Sequence, residues 1–188
     1  MTPLRGPLLV LTDRRQASRP LPDLVASAVH GGARAVVMRE KDLPPRDRRA
    51  LAAVLRALLE PVDGVLVVAG TDGDAVHLPA ATPVPHPRPS LVGRSCHGTA
   101  EVEASSDVDY VTLSPIFPTP SKPGYGPALG PRGLGVGAVP VYALGGVSAD
   151  NAGECRRGGA AGVAVMGAIM RSPDPASTVR EILAAWHD

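Results

Sequence analysis

The sequence predicts a compact (β/α)8 TIM barrel, a single domain spanning residues 1–188. Three observations lead there. Eight short runs rich in Val, Leu and Ile recur along the chain, helical patterns stand between many of them, and polar or glycine residues collect at their C-terminal ends. Continuous apolar runs without strict alternation are what a parallel sheet covered on both faces produces, and barrel enzymes take their reacting groups from the C-terminal ends of the strands. A doubly wound open sheet is the rival architecture.

The runs are LLVLTD (8–13), AVVMRE (35–40), VLVVAG (65–70), AVHL (75–78), LVGRSCH (91–97), YVTLSPIF (110–117), VYALGGV (141–147) and GVAVMGAI (162–169). Helical patterns are clearest over 44–60, 148–160 and 174–188, where Pro, Ser or Asp stands at the start as N1 or N-cap residue. One region resists the scheme. Only Thr71 to Asp74 separate the third run from the fourth, whereas a parallel crossover usually takes about a dozen residues or more. A crossover helix is therefore shortened or missing near residues 60–75. In a second register, Asp63 ends a strand and 64–72 form the helix.

A net charge of +1 and dispersed arginines give no field for nucleic acid or an anionic membrane. Cys96 and Cys155 stand far apart with no metal-type pairing, the N-terminus shows no signal-peptide pattern, and no apolar run reaches the ~18 residues of a membrane span. The expectation is a cytoplasmic protein with free thiols.

Candidate site residues follow from the strand ends. Arg39 and Lys41 flank Glu40 at alternate positions and so point to one side of an extended segment, a pair suited to a carboxylate or phosphate. The competing assignment is an ion pair with Glu40 or Asp42. Gly145 and Gly146 precede a helix that Ser148 could cap, and Gly167 and Ala168 repeat the device after the last strand. Small residues there leave backbone N–H groups open to a phosphate, in the loops where barrels commonly bind one. His77, Ser95, His97 and Ser114 complete the polar set. A lone histidine on a strand is also a common core residue, so both histidines are candidates for catalysis or packing. After the sixth run comes a proline-rich loop with Lys122, Gly124 and Gly126, which reads as a stiff lid that brings a cation to the ligand.

VVMREKDLPPRD, AVHLPAA, LVGRSCHG, DYVTLSPIFPTPSKPG, PVYALGGVSADNAGEC and GAAGVAVMGAIM occur in an order and spacing that resembles the thiamine phosphate synthase superfamily, which includes the TenI-like thiazole tautomerases. The resemblance covers about residues 35–170. It implies a phosphorylated thiazole as small-molecule ligand and self-association, for which the sequence itself shows no apolar stripe. The HLP and GRSCH forms resemble the tautomerase side, which needs no metal. In that reading His97, His77 or Lys122 moves the proton, Arg39 and Lys41 hold a carboxylate, Ser95 and Ser114 contact the ligand, and Gly145, Gly146, Gly167 and Ala168 hold the phosphate. Two departures bear on the choice. The acid-bearing stretches that hold Mg²⁺ in the synthases are VVAG and HLPAATP here, leaving Asp63 as the metal ligand if the protein is a synthase. Pro115 stands where the tautomerases carry an acid/base histidine. The expectation is a tautomerase, with the synthase and a noncatalytic thiazole-phosphate binder as alternatives.

Overall fold

The computed structural model describes residues 4–119 and 127–188. The proposed lid residues Lys122, Gly124 and Gly126 lie outside the described residues. Eight parallel strands close on themselves in sequence order: β1 (Leu8–Leu11), β2 (Ala35–Met38), β3 (Val65–Ala69), β4 (Ala75–Leu78), β5 (Leu91–Cys96), β6 (Tyr110–Leu113), β7 (Val141–Leu144) and β8 (Gly162–Val165). Outside them stand α1 (Leu21–His30), α2 (Pro45–Leu59), α3 (Thr99–Glu103), α4 (Ala152–Arg157), α5 (Gly167–Met170) and α6 (Pro175–His187). Each strand lies within one of the eight apolar runs.

The helix ends follow their chemistry. Pro45 opens α2 at N1, where its missing N–H costs nothing. Asp174 caps α6 by accepting from the Ser177 N–H at 3.0 Å. The 148–160 pattern yields only a six-residue α4, and Ser148 is not its N-cap: Asn151 holds that position, and its Oδ1 accepts from the Ser148 N–H at 2.9 Å.

Alternation sorts the strands into two layers. Leu9, Leu11, Val37, Val67 and Ala69 point inward with Tyr110 and Tyr142, while Leu8, Val10, Val36 and Met38 point outward to the helices. Leu4 is fully buried within the inner cluster. Both tyrosines are fully buried, with ring centroids 5.7 Å apart in an edge-on contact. They fit because β5 and β8 carry glycine opposite them: a Cβ at Gly93 would fall within the Tyr110 ring, and one at Gly162 within the Tyr142 ring.

The link from β3 to β4 contains no helix, as the short spacing predicts, and stagger explains how it closes. Val68 pairs with Val76 and Ala69 with His77, so β4 begins almost level with the end of β3. Five residues therefore return the chain, where a full-length crossover needs many more. Gly70, at φ 121°, lies in a conformation that favours glycine at the start of this turn. Residues 79–90 also cross without a helix, a second simplification that the sequence pattern did not announce. Thr82 in that stretch accepts from Arg94 at 3.2 Å, and Val84 packs on the outer core. The outward faces of β4 and β5 stay covered, with Val76, Leu78 and Val92 fully buried.

The second register is overturned. Residues 65–69 are strand, and Asp63 closes a 3-10 turn (Glu60–Val62) in the left-handed region at φ 51°. It therefore precedes β3, at the end of the barrel opposite the C-terminal strand ends. No helix among the described residues is long and apolar enough to cross a membrane.

The glycine–tyrosine fit predicts that Gly93→Ala lowers stability by about 1–3 kcal/mol, the usual cost of overpacking a filled core. Urea denaturation of the variant beside the wild type measures it.

Candidate functional site

The inward rows that fill the barrel continue past the strand ends and become polar there. From β2 the row 35, 37, 39, 41 ends in Arg39 and Lys41; β4 contributes His77, and β5 Ser95 and then His97. These side chains, with Ser114, Gly145, Gly146, Gly167 and Ala168, line one cavity of about 530 Å³. The volume suits a drug-sized ligand.

The ion-pair assignment for Arg39 and Lys41 is overturned by the partners of Glu40 and Asp42. Glu40, only 3% exposed, accepts from Thr12 Oγ1 at 2.7 Å and from the Arg14 N–H, and lies 3.6 Å from the Arg14 guanidinium. Asp42 pairs with Arg14 and Arg15 at 2.7 Å. The Arg14 guanidinium beside it holds the Asp42 carboxyl below its ordinary range. Arg39 instead crosses the mouth, and its guanidinium reaches Met166 Sδ at 2.6 Å. Among the described residues neither Arg39 nor Lys41 has a carboxylate within ion-pair distance.

His77 forms part of the cavity wall and is 7% exposed. Its Nδ1 lies 3.1 Å from the Tyr110 hydroxyl, and its Nε2 lies 3.0 Å from Ser95 Oγ and 3.3 Å from Thr112 Oγ1. The assignment that satisfies the buried phenol has Tyr110 donating to Nδ1 and Nε2–H donating to Ser95. Burial pushes the His77 pKa down to about 3, reinforced by the positive charges of Lys41 and Arg39. This histidine is neutral at physiological pH. His97 is exposed at the rim, its backbone N–H bonded to Glu101 at 2.7 Å. Cys96 points outward into the core, and burial raises its thiol pKa; Cys155 is buried in α4 and pushed up to about 11. Neither is an activated nucleophile.

Gly145 and Gly146 both take positive φ, 94° and 66°. A Cβ at Gly145 would stand 3.0 Å from Pro115 Cα, and one at Gly146 2.5 Å from the Pro118 carbonyl oxygen. Glycine there lets the β6 and β7 loops touch. Sequence reasoning missed Arg171, which lines the cavity four residues beyond Gly167; the only available signal was that helical spacing.

A hard ion such as Mg²⁺ is usually bound through one or two carboxylates, and among the described residues no Asp or Glu lines this cavity. Among the described residues no group of three or more His, Cys, Asp or Glu side chains is placed to hold a metal. Asp63, the metal ligand expected for a synthase, stands at the opposite end, 80% exposed and 2.9 Å from Arg5. The residues present do not fit a protein-held Mg²⁺.

Residues 8–169 match the family model described as thiamine monophosphate synthase. A thiamine-phosphate synthase of Roseiflexus castenholzii is 37% identical over 198 residues, covering 95% of this chain and 87% of the relative. One from Roseiflexus sp. strain RS-1 is 35% identical over 199 residues, covering 95% and 84%. Among solved structures, a thiamine phosphate pyrophosphorylase from Pyrococcus furiosus superposes with a TM-score of 0.83 at 28% identity, covering 96% of this chain and 95% of that one. These names favour the synthase alternative over the tautomerase expectation.

The depressed His77 pKa carries a stability consequence. Between pH 6.5 and about 3 the unfolded chain binds a proton that the folded chain does not, so stability rises with pH across that window and falls as acid is added. Substitution His77→Asn should flatten the pH dependence of the urea midpoint between pH 4 and 7, read against wild type on the same buffers.

Proposed function

Because the chain belongs to the thiamine monophosphate synthase family, we propose that it is a transferase that joins a phosphorylated thiazole to hydroxymethylpyrimidine diphosphate. The observation that carries this reading is the charge pattern of the cavity. Arg39, Lys41 and Arg171 face it, no carboxylate does so among the described residues, and the buried histidine in its wall is neutral.

Such a coupling breaks the C–O bond between the pyrimidine methylene and the diphosphate and forms a C–N bond to the thiazole nitrogen. The electron pair of the broken bond leaves with the diphosphate, and the nitrogen becomes cationic without gaining or losing a proton. The step calls for neutralisation of a leaving anion and alignment of two substrates, more than for an acid/base pair. Arg39 and Lys41 supply positive charge on one side of the cavity; the Gly145–Gly146 and Gly167–Ala168 turns and Arg171 offer a phosphate site on another. Ser95 is held by His77 and presents its hydroxyl at the mouth. A ring tautomerisation needs a group that exchanges a proton near neutral pH. The buried His77 is poorly suited to that, His97 stands exposed at the rim, and Pro115 occupies the strand-six position where the tautomerase resemblance calls for histidine. Among the described residues the lining offers no side chains that fit a metal ion.

The absence of carboxylates also favours a second reading, a barrel that binds phosphorylated thiazole without coupling it. One assay separates the two. Purified protein is mixed with thiazole phosphate and pyrimidine diphosphate in Mg²⁺ buffer, and thiamin phosphate is quantified. Product is expected, with kcat/KM reduced about 10- to 100-fold in Arg39→Ala, the cost of one charge-assisted contact. Binding of thiazole phosphate with no product would establish the second reading, and turnover of the non-aromatic thiazole tautomer would restore the tautomerase.

A further inference from the structure

Arg171 closes the last turn of α5, its N–H bonded to the Gly167 carbonyl at 3.1 Å. The side chain folds back over the start of that helix. A Cβ placed on Gly167 would lie 2.5 Å from Arg171 Nη2 and 2.6 Å from Nη1. Gly167 has no positive φ, so what glycine supplies here is room: any larger residue would displace the guanidinium from the cavity wall.

The orientation of Arg171 is set from a distant part of the chain. Its Nη1 donates to Gln16 Oε1. Gln16 Nε2 in turn donates to Asp13 Oδ2 at 2.7 Å, and the other Asp13 oxygen accepts from the Arg15 N–H at 3.1 Å. Asp13 can only accept, so it turns the Gln16 amide with nitrogen toward itself and oxygen toward Arg171. The consequence is electrostatic. A carboxylate in direct contact would neutralise the guanidinium, whereas the intervening amide fixes its direction and leaves its charge uncompensated. Arg14 and Arg15, by contrast, are paired with Asp42 directly. Arg39 approaches the same turn from β2 through Met166, so two guanidinium groups that have no carboxylate partner among the described residues border the β8–α5 junction.

We propose that Arg171 binds the phosphate group of the thiazole ligand, and that Gln16, anchored by Asp13, is the residue that positions it. The proposal rests on the phosphorylated-thiazole reading of the cavity. It assigns a ligand contact to an arginine that the strand-end pattern does not include, and a positioning role to a D-x-x-Q turn after β1.

The test compares two titrants by calorimetry, the thiazole phosphate and the corresponding unphosphorylated thiazole alcohol. Wild type should favour the phosphate strongly. Arg171→Ala should weaken the phosphate about 10- to 100-fold while leaving affinity for the alcohol unchanged, and Arg171→Lys should recover part of the loss. Gln16→Glu, which puts a carboxylate on the guanidinium, should also weaken the phosphate selectively; a purely structural link between the 13–16 turn and α5 would give no such selectivity. Thermal melts establish that the exposed Arg171 variants remain folded. An unchanged preference for the phosphate in Arg171→Ala overturns the inference alone. Wild type that binds neither titrant overturns it together with the reading on which it rests.

Discussion

The mouth of this barrel depends on a fit beneath it, the pairing of two tyrosine rings with two glycines. Eight four- to six-residue strands enclose a narrow interior, and an aromatic ring fills it only where a facing position has no side chain. Tyr110 over Gly93 and Tyr142 over Gly162 meet that condition. Tyr110 then presents its hydroxyl to His77, and His77 passes the constraint to Ser95 and Thr112. A packing solution in the core thereby fixes the hydrogen-bonding state of side chains that line the cavity. The polar surface above is built on a rigid layer, which is what a preorganised site requires.

Charge is sorted around the mouth as strictly as volume is sorted below it. Glu40 and Asp42 stand beside Arg39 and Lys41 in sequence, yet alternation turns them away to meet Arg14 and Arg15. The cations that face the cavity keep their charge, and the acids near them are engaged elsewhere. The field of these cations helps keep His77 unprotonated. Arg39 and Lys41 give the mouth a cationic character, and the histidine buried in its wall, His77, stays neutral.

Much of this was legible in the sequence, for identifiable reasons. The strands were visible because their β-branched runs are short and bounded by Gly, Pro and Asp. Arg39 and Lys41 could be assigned to one side because the strand period is two. Their freedom from Glu40 was not legible, since the competing partner, Arg14, lies 26 residues away. Asp63 was ambiguous because a 3-10 turn ending in a left-handed aspartate looks, in sequence, much like a strand end. Arg171 stayed hidden because its direction is set by Gln16, 155 residues earlier. The missing helix over 79–90 was obscured by prolines, which mark irregular chain without showing how it packs.

The abrupt link between β3 and β4 bears on how the chain finds this structure. Val68 and Val76 are partners across only eight positions, whereas most parallel neighbours in a barrel are joined by long excursions. Closing a short loop sacrifices less chain entropy than closing a long one, and local contacts favour rapid folding. Trimming the outer layer has therefore placed the least entropically demanding strand pairing in the molecule at the strand that carries His77.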